Sequence, residues 1–380
     1  MNKILKGTAV SAAALLVASA GANAASLKVG GYMDMKFSAH SNDSAYENQG
    51  TSKDYVNFDV RNDSEIHFKG SAKLDNGVKI GTKVELEGFS VNDAGDSGSM
   101  AASGNQSADY IDEAFMTIKG SFGTIKIGSA DLAPKTTTTI HQATFMMNAG
   151  ENTRFNVTKL IAKPAEVSGS GIGQMDLSSD AEGISWFSPR MNGFQLSLGY
   201  AATSNEDYDG LKRETDANHN ILAGALNWSG KMGGTKVSVA AGYTTASSST
   251  AANSDPNQTV VGIRIHSGPM SVGLSYQDNS NSAAAGAHAG ETIFEAGVKY
   301  SMGPNAVSLV IADNQYDSNA AATKDDSITM GSIAFARTLA KGVKWHNTIH
   351  FANFDNGANA AAASTSNDGY AFTTGLKVSF

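Results

Sequence analysis

The chain of 380 residues contains no cysteine. Disulfides therefore supply none of its stability, although their absence is compatible with an exported protein. Beyond its first two dozen residues no segment comes near 18 consecutive apolar residues, which excludes membrane-spanning helices. Spanning strands stay open, because a barrel strand shows lipid only every second residue and averaging over a window hides that signal. Basic clusters are missing too. With 28 Lys and Arg against 36 Asp and Glu, the formal charge is −8, and nucleic acid is not expected as a partner. Proline is scarce, 6 residues against 40 glycines. Catalytic signatures are also lacking. There is no GxSxG elbow, and the GSGIG at Gly169–Gly173 neither follows a strand nor opens a helix as a nucleotide loop would. The 8 histidines are scattered. His346 and His350 would share one face of a strand about 13 Å apart, too far to hold one ion together. The chain is thus expected not to be an enzyme and to carry no cofactor. At most, acidic loops bind divalent cations loosely.

What is present is alternation. At the front, Lys3 and Lys6 precede an apolar run from Thr8 to Ala18, and Ala22-Asn23-Ala24 reads as a cleavage signature. This predicts a cleaved signal peptide over 1–24 and a mature chain from Ala25. The apolar run is about a dozen residues, short of the roughly 20 that a span needs. From there the sequence reads in twos. Leu27, Val29, Met33, Met35 and Phe37 share one face, with Lys28, Tyr32, Asp34 and Lys36 on the other. Ile66, Phe68, Ala72 and Leu74 oppose Glu65, His67, Lys69, Ser71 and Lys73. Asp75-Asn76-Gly77 is a strong hairpin signal. Beyond it, Val78, Ile80, Val84 and Leu86 oppose Lys79, Lys83, Glu85 and Glu87. The rhythm continues to Tyr370–Phe380, is least regular over Ile328–Leu339, and gives about 16 strands.

Tight turns and long loops alternate between these strands. The loops are rich in Ala, Ser, Asn, Asp and Gly, and the longest spans 129–182. A soluble sandwich also alternates, but three features favour a membrane barrel. One rim has consistently longer loops. Aromatic residues such as Phe37, Trp186, Trp228, Tyr300 and Phe380 fall near strand ends, where interfacial girdles need them. The polar faces carry mid-strand charges such as His67, Lys69, Lys83, Lys126 and Glu295, which need water. A barrel leaves no free edge, so the last strand should pair with Leu27–Phe37 and place Phe380 in a girdle.

These features come together in SLKVGGYMDMKF, NDSEIHFKGSAKLDNGVKIGTKVELEG, GSFGTIKIGSAD, GISWFSPRMNGFQLSLGY and the terminal Phe380. In their order and spacing the chain resembles the general diffusion porins of the Gram-negative outer membrane, most closely the proteobacterial group. The resemblance implies an all-β, 16-stranded antiparallel transmembrane barrel over 25–380. Short turns would face the periplasm, long loops the outside, and the third long loop would fold into the lumen. It also implies a homotrimer amid outer membrane lipid and lipopolysaccharide, with Phe380 as an assembly signal. Passive passage of ions and small hydrophilic solutes would follow.

Selectivity in such a channel comes from the width of the pore and the charges lining it. The resemblance makes 129–182 the constriction loop, with Asp131, Glu151, Asp176, Asp180 and Glu182 beside Lys135, Arg154, Lys159 and Lys163. The loop is expected against the first several strands. Arg61, Lys69, Lys73, Lys79, Lys83 and Lys126 should face it across the gap, and a transverse field would result. Arg61, Lys69, Lys83, Glu151 and Asp176 are the foremost candidates. The wall is lysine-rich where many family members cluster arginines. The acidic balance suggests weak cation preference. Two other readings remain: an anchor or adhesin barrel with a closed pore, and a membrane-embedded hydrolase.

Overall fold

A computed structural model describes residues 25–47, 57–87, 111–139, 143–150, 153–165, 167, 174–205, 218–248, 255–280, 290–317, 325–357 and 366–380. The expected signal peptide lies outside these residues. The strands are β1 (Ser26–Asn42), β2 (Phe58–Lys73), β3 (Lys79–Glu87), β4 (Ile111–Gly120), β5 (Gly123–Ser129), β6 (Glu182–Phe187), β7 (Phe194–Thr203) and β8 (His219–Met232). They continue with β9 (Thr235–Ser247), β10 (Asn257–Ser267), β11 (Met270–Ser280), β12 (Gly290–Met302), β13 (Asn305–Tyr316), β14 (Asp326–Ala340), β15 (Val343–Asp355) and β16 (Asn367–Ser379). Among the described residues four short helices accompany them: α1 (Ser44–Glu47), α2 (Ala133–Thr139), α3 (Ala143–Met146) and α4 (Thr153–Leu160). The sheet is one closed antiparallel barrel in which every strand pairs with its neighbours in sequence and β16 returns to β1.

Alternation sets which side of each strand meets which medium. On β1, Leu27, Val29, Met33, Met35 and Phe37 are 42–55% exposed on the outer surface, while Asp34, Lys36 and Ser38 are buried on the inner one. The same inversion runs round the barrel through Leu196, Leu226, Leu274, Ile311, Ile349 and Leu376, all exposed. A continuous apolar exterior around a charged interior is stable in hydrocarbon and not in water. In hydrocarbon each unbonded backbone group costs several kcal/mol, so the ring has to close. It closes at its last residue. Gly31 N donates to Phe380 O at 3.2 Å and Phe380 N donates back to Gly31 O at 3.1 Å, and the Phe380 ring stands 68% exposed on the outer face.

The tight turns follow the sequence signals. At Asp75-Asn76-Gly77, Leu74 N donates to Val78 O at 2.8 Å and Gly77 sits at φ +85°, in the left-handed region that glycine tolerates. β14, the least regular segment in the sequence, carries a register shift against β15 between Thr338 and Ala340.

The stretch between β5 and β6 holds α2–α4 and folds into the lumen. Much of the buried apolar core therefore lies between this loop and the inner wall. Val157, Leu160, Ile161 and Val167 pack with Ile328, Met330, Phe354 and Ala371, and Leu132 packs with Ala201, Ile221 and Ala246.

Candidate functional site

The inner wall divides into two arcs. From β7 to β14 its inward positions are mostly small: Ser197, Gly199, Ala201, Ala225, Ala240, Gly242, Gly273, Gly297, Ala312 and Ala334. The loop docks there. A Cβ on Gly242 would come within 2.7 Å of Thr138 Cγ2, and one on Gly297 within 2.7 Å of Met147 Cβ. Wall serines hold the loop backbone. Ala149 N donates to Ser308 Oγ at 2.8 Å, and the Asn148 side-chain Nδ2 donates to Ser332 Oγ at 3.1 Å. Thr137 and Ser197 share a hydrogen bond between hydroxyls at 2.8 Å. α2 thus lies on β7–β9, α3 on β11–β13 and α4 on β14–β16. This corrects the expectation that the loop lies against the first strands. The early strands present long charged side chains inward, whereas the loop meets small residues on β7–β13 and the apolar Ile328, Met330 and Phe354 on β14 and β15.

The second arc, β1–β5, is a lattice of alternating charge. Lys36 lies between Asp34 at 4.0 Å and Asp63 at 3.8 Å. The Tyr32 hydroxyl donates to Asp63 Oδ1 at 2.9 Å and also to Glu65. His67 Nε2 is 2.8 Å from Glu65 and 3.3 Å from Glu85. Lys83 pairs with both Glu85 and Glu113. From the far side of the closure, His346 Nε2 meets Asp34 Oδ1 at 2.7 Å. Register explains the lattice, because Lys36 is cross-strand from Arg61, His67 from Glu85, and Lys83 from Phe115. Every member therefore points inward, and adjacent strands place them side by side.

Where the two ends of the loop meet this arc, its own charges gather. Lys135 pairs with Asp131 and lies 2.6 Å from Asp176. Burial works against its ammonium, but Asp176 and Asp131 hold its pKa above the ordinary lysine value. Burial pushes the Asp180 carboxyl up to about 8, with Asp131 adding to the effect and Lys135 opposing it. At the other end Arg61 Nη1 donates to Lys159 O at 3.4 Å. Asn42 and Asn367, from the two strands that close the barrel, clamp Ala162 through its N–H at 2.9 Å and its carbonyl at 2.6 Å.

The structure brings Arg61, Lys83 and Lys126 to the middle of the charged arc, with Lys126 donating to the carbonyl of Asp131. Lys69, Lys73 and Lys79 sit lower and are exposed. Lys69 is cross-strand from Lys28 and Lys83, and Lys79 from Lys73 and Lys119. Asp131, Asp176 and Asp180 cluster around Lys135 rather than standing apart across the gap. Lys163 donates to Val167 O, and Glu182 opens β6 exposed. Glu151 and the Arg154 side chain lie outside the described residues. Tyr32, Asp34, Lys36, Asp63, Glu65, Glu85, Glu113 and His346 were not among the pore-lining candidates chosen from the sequence. Parity was the available signal for Asp63, Glu65 and Glu85, which share an inward face with Lys69 or Lys83.

Comparison with known proteins agrees with this architecture. A family model described as Gram-negative porin matches residues 10–377. No curated protein matches the chain. Among solved structures, the anion-selective porin from Comamonas acidovorans is 17% identical with a TM-score of 0.61, covering 94% of this chain and 100% of its own. A double mutant of Rh. blastica porin is 16% identical with a TM-score of 0.55, covering 93% and 100%. A loop-deletion mutant of an outer membrane protein of Vibrio cholerae is 11% identical with a TM-score of 0.58, covering 93% and 99%. At these identities the likeness is one of fold.

Proposed function

The chain belongs to the Gram-negative porin family, an outer membrane channel, and on that footing we propose that it passes ions and small hydrophilic solutes by passive diffusion. The observation that carries this reading is the pairing of an apolar exterior with a lumen walled by charge. Solutes cross between the inward loop and the β1–β5 lattice, where opposite charges at close range order water and orient dipoles. The protein works as a homotrimer, as its family resemblance implies.

Two features bear on the preferred ion and pull in opposite directions. The formal charge of −8 favours cations. The inner mouth favours anions. By register Lys28, Lys69, Lys73, Lys79, Lys119, Lys231, Lys236, Lys299, Lys344 and Lys377 all point inward near the tight turns. Charges act over about 8 Å at physiological salt, so lumen residues outweigh acids on distant loops. The channel therefore favours small anions. Purified, unboiled oligomer in a planar bilayer should conduct in groups of three equal steps. Under a salt gradient its reversal potential should have the anion sign, and liposomes carrying it should swell in small sugars. A silent bilayer would leave an anchor or adhesin, and silence with lipase turnover an enzyme. A cation-sign potential would reverse the selectivity reading alone.

A further inference from the structure

Beneath α3, the inner faces of β9–β12 and the loop enclose a cleft of about 160 Å³. Lys236, Ser238, Arg264, His266, Ser271 and Lys299 supply its polar lining, and Met147 of the loop closes one side, buried to 1% exposure. Among the described residues, no carboxylate lines this cleft. Among the described residues, none of Lys236, Arg264 and Lys299 forms an ion pair. Lys299 spends one proton on Met146 O at 3.0 Å, and His266 Nδ1 meets Ser271 Oγ at 2.8 Å. The next acid on the same face of β12 is Glu295, which accepts from Ser275 at 3.1 Å. It sits about 13 Å along the strand from Lys299, beyond one screening length. On the charged arc, by contrast, Lys83 stands beside Glu85 and Glu113. Among the described residues, three basic side chains from β9, β10 and β12 converge here without a carboxylate beside them.

We propose that this cleft binds a tetrahedral oxyanion of the phosphate class on its way through the channel. The inference rests on the porin reading and names one solute class for it. An arginine fork and two ammonium groups approach from different strands, so they suit an anion with several acceptor oxygens in three dimensions better than a single-point halide. Ser238 and Ser271 add hydroxyl donors. A liquid water occupies about 30 Å³, so the cleft has room for such an ion with part of its hydration.

The test uses inorganic phosphate. Chloride current through native trimers should fall saturably as phosphate is added at fixed ionic strength. In the Arg264→Gln/Lys299→Gln double variant, the half-blocking phosphate concentration should rise at least about tenfold, on the scale of a lost charge-assisted hydrogen bond. Lys341→Gln removes a cation from the β14–β15 turn and should leave the block unchanged. Chloride steps in each variant show that it has folded and inserted. If phosphate alters native current only in proportion to bulk conductivity, or blocks the double variant at the native concentration, the proposal is overturned while the channel stands. If native protein gives no chloride steps, the porin reading fails by itself. Calorimetry of phosphate with the detergent-solubilised protein then decides the cleft, and absence of heat at millimolar phosphate overturns it.

Discussion

The inner faces of β1–β5 and of β7–β14 obey one alternation and put it to different uses. Both turn every second residue inward, yet the first arc fills those positions with Asp34, Lys36, Arg61, Glu65, His67, Lys83 and Glu113, and the second with Gly199, Ala201, Ala225, Gly242, Gly297 and Ala334. The charged arc needs water against it and stays lined by solvent and solute. The small-residue arc leaves a shelf, and the long loop fills that shelf with Leu132 and Met147, while Leu160 and Ile161 pack beyond it against Ile328, Met330 and Phe354. The size of inward residues thus decides where the constriction hangs, and their charge decides what it faces.

Bulk on the shelf should break this division most. Gly297→Leu would drive a side chain into Met147 Cβ at 2.7 Å and Val310 Cγ1 at 3.0 Å. Overpacking of this kind costs about 1–3 kcal/mol, and the loop can escape it by leaving the wall. The expected outcome is altered, unsteady single-channel conductance and new tryptic cleavage at Lys135 or Lys159. Gly81→Leu on the charged arc meets only Thr117 Oγ1 at 2.6 Å, with Gly70 O at 3.8 Å, so it should leave the loop protected from trypsin. Equal cleavage in the two variants would mean that the shelf does not hold the loop.

Charge reversal sharpens the other side of the contrast. Lys83→Glu places a third carboxylate beside Glu85 and Glu113, the two acids with which Lys83 now pairs. A partly exposed pair of this sort is worth up to about 1 kcal/mol, roughly a fivefold change in the cation-to-anion permeability ratio. Reversal potentials in a salt gradient should move toward the cation value, and an unmoved potential would take Lys83 out of the selectivity path.

Much of the barrel could be read from the sequence, because strands that face lipid on one side and water on the other carry period two wherever they run. The hairpin at Asn76-Gly77, the closure by Phe380 and the irregularity of Ile328–Leu339 all have local signals. The loop's seat had none in the loop itself. Its evidence lay in residues such as Gly242 and Gly297, whose smallness means nothing until a partner is known to pack on them. Charge was legible by type and face but not by pairing. Asp176 joins Lys135 through the path of the loop, and His346 reaches Asp34 only once β16 has closed the ring. Neither contact follows from spacing along the chain.

The smallest effect sits where the two arcs meet, at the root of the loop. The Asp180 carboxyl, raised from an ordinary 3.8 to about 8 by burial and by Asp131, keeps its proton at neutral pH in the folded protein and loses it in the unfolded chain. A group raised in this way contributes stability that is complete below its unfolded pKa and is lost as pH rises through the folded one. The attachment of the loop beside β5 and β6 should therefore weaken between about pH 4 and pH 8, and above that range Asp131 and Asp180 repel each other as anions, a repulsion that Lys135 and Lys126 offset in part. Native channels should become noisier as pH is raised from 7 to 9. Asp180→Asn keeps the shape, removes the titration and should hold the noise level over that range. If native and variant channels respond alike, the pH sensitivity lies elsewhere and the loop root is indifferent to its proton.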